Sequence, residues 1–362
     1  MSGGPAREQV LAALATVQDP DLRRDLVALG MIEDLAIEGD HVRFTVALTT
    51  PACPVKDDLE RQCREAVAAL PGVARVDVTM TSKVRGRAPG ASAEKKEIPG
   101  VAHVVAVGSG KGGVGKSTVA VNLAVALAAE GARVGLIDAD VYGPNVPLMM
   151  GIQDTPYQKD GKILPLVAHG IEVMSMGFLV EAGTPVIWRG PMLHGVIQNF
   201  TRDVAWGELD YLIVDYPPGT GDIQLTLSQQ AAVTAAVVCT TPQDISLIDV
   251  RKAIAMFEKL AVPVLGLVEN MSYFVCPGCD ARHEIFAHGG ARDEAERRGI
   301  PFLGEIPLDP AVRQGGDRGA PIVVSAPNSS QAEAFRHAAR QLAARLSIQA
   351  AGTGEELAPA PR

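Results

Sequence analysis

The chain reads as an α/β protein, a mostly parallel sheet flanked by helices and preceded by a small α/β N-terminal domain. Three observations carry that reading. Residues Gly110 to Ser117 fit G-x-x-x-x-G-K-[ST], the pattern of a loop that cradles phosphate. The loop is framed as such a loop requires, by the β-branched run Val101 to Val107 before it and an Ala/Leu-rich stretch, Thr118 to Glu130, after it. From about residue 100 to 346, apolar runs of strand length then alternate with helical stretches, the signature of a parallel sheet covered on both faces.

Taken in order, residues 1–84 form the small domain. Arg7 to Val17 and Lys56 to Leu70 are helical in pattern, while Val42 to Leu48 and Val73 to Val78 alternate like strands. Residues 85–99 are rich in Gly, Pro and charge without apolar period, and read as a linker. The longer segment 100–346 holds further buried-strand candidates at Val134–Ile137, Tyr211–Val214, Ala235–Cys239 and Val264–Val268. A last helix spans about Gln331 to Ser347. With Arg336, Arg340 and Arg345 it has some basic amphipathic character, but its Ala content points to docking on the core rather than on a membrane. Residues 347–362 read as a disordered tail.

Composition limits the function classes. The 362 residues include 47% hydrophobic and 21% charged side chains, ordinary for a globular protein of two domains. A net charge of −9 argues against a general nucleic-acid surface, so no nucleic-acid partner is expected. No apolar run approaches the roughly 18 residues of a membrane span, and the N-terminus lacks a signal peptide's apolar segment. Five cysteines, an odd number with one C-x-x-C pair, do not resemble a secreted disulfide framework. A cytoplasmic protein that binds no membrane is the expectation.

The loop's residues divide its work. Gly110, Gly112, Gly113 and Gly115, with Val114 between them, let successive N–H groups turn inward toward phosphate oxygens. Lys116 is placed for the β- and γ-phosphates, Ser117 for Mg²⁺, and Thr118 opens the helix whose N-terminus faces the anion. Lys111 is extra: one lysine suffices for the cradle, so a second suggests a charge offered to another nucleotide across a dimer. Two carboxylate clusters follow strands. Asp138 and Asp140 are candidates to polarise the attacking water or to bind a metal's water, and Asp215 to stand in the metal's outer shell. Gly219 is placed to sense the γ-phosphate through its N–H.

Together, Gly110 to Thr118, the Asp138-x-Asp140 pair and Asp215-Tyr216-Pro217-Pro218-Gly219 resemble the deviant Walker A ATPases. That group includes MinD, ParA, the nitrogenase iron protein and the Mrp/ApbC-type iron–sulfur carriers. The resemblance implies a P-loop NTPase fold and an ATP-sandwich homodimer, in which Lys111 crosses to the partner's phosphates. It also places Asn270 at the adenine edge, with the Ile306-Pro307-Leu308-Asp309 turn a candidate border of the base.

The branch is decided downstream. Cys276-Pro277-Gly278-Cys279 sets two thiolates shortly after a strand. Two such ligands fit one edge of a cluster, half a zinc site or a redox disulfide, and His283 is a possible third ligand. Beside a dimerising ATPase the pair resembles the Mrp/ApbC-type carriers, because a two-fold axis supplies four thiolates, enough for a [4Fe–4S] cluster. Trp188-Arg189-Gly190-Pro191-Met192 and Thr240-Thr241-Pro242-Gln243 also look like that family. The first domain, with Asp19-Pro20-Asp21 and Thr49-Thr50-Pro51-Ala52-Cys53-Pro54, resembles the small domain of iron–sulfur assembly factors. Within it Cys53 is a transfer ligand or a structural thiol, Cys63 reads as packing, and Cys239 as core. The implied function is ATP-dependent transfer of clusters to apo-proteins, with those apo-proteins and assembly factors as the implied partners. A MinD/ParA-like positioning ATPase and a cluster-dependent electron-transfer ATPase are the alternatives.

Overall fold

The structure, a computed structural model, describes residues 4–84, 86, 97–179, 190–230 and 233–352. Most of the expected linker, the Trp188-Arg189 pair and the chain beyond residue 352 lie outside the described residues. The chain divides into two compact units, residues 1–85 with 343–354, and a larger one built on residues 86–342.

In the smaller unit, α1 (Arg7–Leu14) and α2 (Lys56–Ala68) pack on a three-stranded sheet of β1 (Ile32–Glu38), β2 (His41–Leu48) and β3 (Arg75–Ser82). Strand β2 runs antiparallel to β1 and parallel to β3. Leu14, Phe44, Val46, Leu59, Cys63 and Val67 form its core, and Cys63 is thus a packing thiol. Strand β1 has no readable alternation in the sequence. Its register shifts between Glu33 and Ala36, and Asp34 takes a φ of 51°, so the bulge breaks the alternation that marks a strand. Helix α1 stops at Leu14, short of Val17, where Thr16 Oγ1 donates to the Ala13 carbonyl and the chain turns.

The larger unit is the expected α/β layer structure. Its strands are β4 (Val101–Gly108), β5 (Val134–Asp138), β6 (Leu166–Ala168), β7 (Ile171–Ser175), β8 (Leu209–Asp215), β9 (Ala235–Thr240), β10 (Val264–Asn270) and β11 (Phe302–Ile306). They lie in the order β6-β7-β5-β8-β4-β9-β10-β11, with only β6 antiparallel to its neighbour. Every residue of β5, β8 and β9 is buried, as strands covered on both faces must be. Each such Val, Leu or Ile contributes on the order of 1.5–3 kcal/mol by leaving water. Helix α3 (Lys116–Ala129) lies against β5 and β8, and α4 (Asp244–Lys259) against β9. The central strands end together near the phosphate loop, where ligands gather in such sheets.

The last helix, Ser330–Ala350, runs past the expected end at Ser347. The anticipated boundary at residue 346 falls inside it, because its final turns from Ala343 belong to the smaller unit. Ala332, Phe335, Ala338, Ala339 and Leu342 are fully buried, so its apolar face is docked in protein. Among the described residues no helix is long and apolar enough to cross a membrane.

Candidate functional site

The phosphate loop bridges the end of β4 and the start of α3. Gly115 caps that helix at a φ of 78°, in the left-handed region that an L side chain rarely enters. A Cβ there would also stand 2.2 Å from Asn270 Nδ2. At the other end of the loop, a Cβ on Gly110 would come within 2.2 Å of the Asp249 carbonyl carbon in α4. The loop is therefore held from two sides, with the first amides of α3 turned to the space in front of it. That space is a cavity of about 560 Å³ whose lining includes Lys111, Gly112, Gly113, Lys116, Ser117, Thr118, Asp140 and Asn270. The turn after β11 adds Pro307, Leu308 and Asp309 to the lining.

The carboxylates take distinct places. Lys116, only 6% exposed, donates from Nζ to Asp215 Oδ1 at 2.5 Å and lies 3.2 Å from Ser117 Oγ and 3.9 Å from Asp140 Oδ2. Asp215 is fully buried and its Oδ2 has no hydrogen-bond partner. Burial raises its pKa, and the Lys116 charge opposes that rise. Asp138 is also fully buried. Its Oδ2 accepts from Ser175 Oγ at 2.8 Å and from the Val146 N–H at 3.3 Å, and its Oδ1 from the Asp140 N–H at 3.2 Å. Burial first, then the charge of Asp215, pushes Asp138 up to about 7. Only Asp140 of the two faces the cavity, with Oδ1 accepting from the Tyr142 and Gly143 amides.

Two expected roles meet different geometry. The Gly219 N–H donates to the Ser109 carbonyl at 3.1 Å, so it is committed to the loop rather than turned to the cavity. Asn270 lines the cavity, yet its Nδ2 donates to the Val114 carbonyl at 2.8 Å. Cys239, buried beneath the loop, offers its thiol to the same carbonyl at 3.6 Å, and burial pushes that thiol up to about 12. Side chains from β9 and β10 thus hold one loop carbonyl, a contact the sequence does not announce.

Cys276 and Cys279 lie away from this cavity, at the tip of a short hairpin whose strands are Phe274–Val275 and Arg282–His283. The Cys276 N–H donates to the Ala281 carbonyl at 2.9 Å, and the Asp280 N–H to the Cys276 carbonyl at 2.8 Å, which closes the turn. Cys279 is exposed and Cys276 half-buried. The Gly278 N–H, then the Cys279 thiol and N–H, lower the Cys276 pKa, so the turn favours the thiolate that grips a metal. His283 pairs with Phe274 across the hairpin and stays apart from the two sulfurs. Among the described residues, the group able to converge on an ion is instead Glu269, His288 and Glu305. There Glu269 is already satisfied, by Ser272 Oγ and the N–H groups of Gly289 and Ala291. Cys53, in the smaller unit, is half-buried, and burial pushes its thiol up to about 11.

The family description "NUBPL iron-transfer P-loop NTPase" matches residues 100–343, and "Iron-sulfur cluster assembly protein" matches residues 7–78. An iron–sulfur cluster carrier protein of Deinococcus radiodurans is 53% identical over 94% of this chain and 96% of its own length. Its counterpart from Synechocystis is 49% identical over 95% of this chain and 98% of its own. Among solved structures, a nucleotide-binding protein of Archaeoglobus fulgidus, in complex with ADP, superposes with a TM-score of 0.56 at 42% identity. It covers 62% of this chain and 88% of its own.

Proposed function

Because this chain belongs to the iron–sulfur cluster carrier family of P-loop NTPases, we propose that it passes clusters to apo-proteins under the control of ATP hydrolysis in a homodimer. The observation that carries the reading is one polypeptide holding both a phosphate-loop cavity and a C-x-x-C turn in which Cys279 is exposed and Cys276 is poised toward thiolate.

ATP enters the cavity with its phosphates on the loop amides and the start of α3. Lys116 then exchanges its Asp215 partner for the β- and γ-phosphates, one anion for another, which keeps the buried ammonium paired. Asp215 Oδ2, buried and unpartnered beside Ser117, is the hard oxygen that suits Mg²⁺, so Ser117 and Asp215 would hold the ion. The metal supplies neutralisation of phosphate charge. Asp140 faces the cavity and orients the attacking water, while Asp138 holds the Asp140 and Val146 amides and so sets the loop that carries Asp140. Lys111, at the cavity rim, reaches the partner's nucleotide, which makes hydrolysis depend on dimerisation.

The cargo is a [4Fe–4S] cluster gripped by Cys276 and Cys279 of both protomers, since one chain supplies only two thiolates. Anaerobic reconstitution with iron and sulfide tests this grip. The wild type should bind cluster and Cys276→Ala should not; equal loading in the two proteins would sink the assignment. Lys111→Ala should keep ATP binding and lose most hydrolysis, and unchanged turnover would remove the dimer argument.

A further inference from the structure

The cysteine hairpin is fastened at both of its strands to β11 and the turn after it, and that turn lines the nucleotide cavity. Its first strand leaves β10 through Met271, which lines the cavity and holds a φ of 54°, a left-handed backbone unusual for a side chain of that size. Ser272 follows, with its N–H on the Ile306 carbonyl at 2.9 Å and its Oγ on Glu269 Oε1 at 2.6 Å. The Tyr273 carbonyl then accepts from the Leu308 N–H at 2.7 Å. Ile306 ends β11, and Pro307 and Leu308 are part of the cavity wall.

The returning strand reaches β11, one residue short of the strand's end at Ile306, through one side chain. The Arg282 guanidinium stacks over the Tyr273 ring, 3.8 Å from its centroid, and its Nη2 lies 3.5 Å from Glu305 Oε1. Glu305 is the residue before Ile306. Its Oε2 is 2.7 Å from His288 Nε2, which also lies 2.5 Å from Arg282 Nη2, and 3.9 Å from Arg292. Arg282 itself neither lines the cavity nor belongs to the cysteine turn.

We propose that Arg282 is a positioning residue that clamps the hairpin to Tyr273 and Glu305, so that nucleotide in the cavity resets Cys276 and Cys279. The functional weight of this link rests on the reading of that pair as the cluster grip. A shift of residues 306–308 against the base moves Tyr273 through its backbone bond and Arg282 through Glu305 together. The hairpin then tilts as one body instead of shearing at a free strand. A planar guanidinium suits this place because it lies flat on the ring while its edge faces the carboxylate, whereas an ammonium has no plane to stack. A left-handed Met271 gives the chain a strained joint at which that tilt can turn.

The test uses full-length, reduced protein and follows alkylation of Cys276 and Cys279 by iodoacetamide, resolved by peptide mass spectrometry, with and without Mg-ADP or Mg-ATP. In the wild type, nucleotide should change the rate at these two cysteines by about fivefold or more. Arg282→Ala and Glu305→Gln should bind nucleotide as the wild type does and lose that change. Arg282→Lys should restore little of it. The clamp is refuted if the nucleotide effect survives in both variants, or if the wild type has none. The thiol readout needs no cluster, so failed cluster loading would overturn the carrier reading while leaving the clamp standing.

Discussion

Lys116 donates to Asp215 Oδ1 at 2.5 Å, and that carboxylate is wholly buried with its second oxygen unpartnered. The phosphate-binding lysine is therefore also the counter-ion of a buried acid, and its two duties can be separated. Lys116→Ala should abolish nucleotide binding and destabilise the fold by about 3–5 kcal/mol, because it strands a buried charge. Adding Asp215→Asn should return most of that stability without returning nucleotide binding. Urea unfolding beside a nucleotide titration checks both, and a stable single variant would refute the pairing.

Gly115 is the loop position with least freedom to vary. Its φ of 78° and a Cβ site 2.2 Å from Asn270 Nδ2 mean that Gly115→Ala must displace either the loop or the amide that holds Val114. Nucleotide affinity should fall by about tenfold or more, the equivalent of at least 1.4 kcal/mol. Gly112→Ala, where a Cβ meets nothing within 4 Å, is the matched control and should lose less.

The two candidate cysteine partners should separate cleanly. Cys279→Ser should abolish cluster loading, whereas His283→Ala should leave it intact, since His283 is engaged with Phe274 rather than with the sulfurs. Iron and sulfide content after reconstitution gives the answer. Loss of cluster in His283→Ala would make the histidine a ligand.

Glu172 on β7 carries a pH prediction distant from the phosphate chemistry. Burial pushes it up to about 7 from an ordinary 4.5, and its Oε2 is buried without a partner. Between those values the folded chain keeps a proton that the unfolded chain has released. Its contribution to stability is therefore fully present below about 4.5 and lost as pH rises through 7. Glu172→Gln keeps the neutral shape and should flatten that part of the Tm profile between pH 5 and roughly 7.5. An unchanged profile would place the proton elsewhere.

How far these features are legible in the sequence differs by kind. The phosphate loop and the strands around it read directly, because a nine-residue pattern of glycines and hydroxyls encodes backbone shape and apolar runs encode burial. Strand β1 did not, since a bulge at Asp34 hides its period, and neither did β7 or β11. For Gly219 and Asn270 the sequence indicated the neighbourhood but not the hydrogen-bond partner.

The chain's own order of residues determined the family, the phosphate loop, the cysteine pair and the alternation that builds the sheet, all from local or periodic signals. Tertiary structure alone decided that Lys116 meets Asp215, 99 residues away, that Asn270 holds Val114 across 156, and that Arg282 reaches Glu305 from the cysteine hairpin. Such contacts depend on which strands become neighbours, and that is fixed by collective packing of the buried sheet rather than by any one segment's pattern.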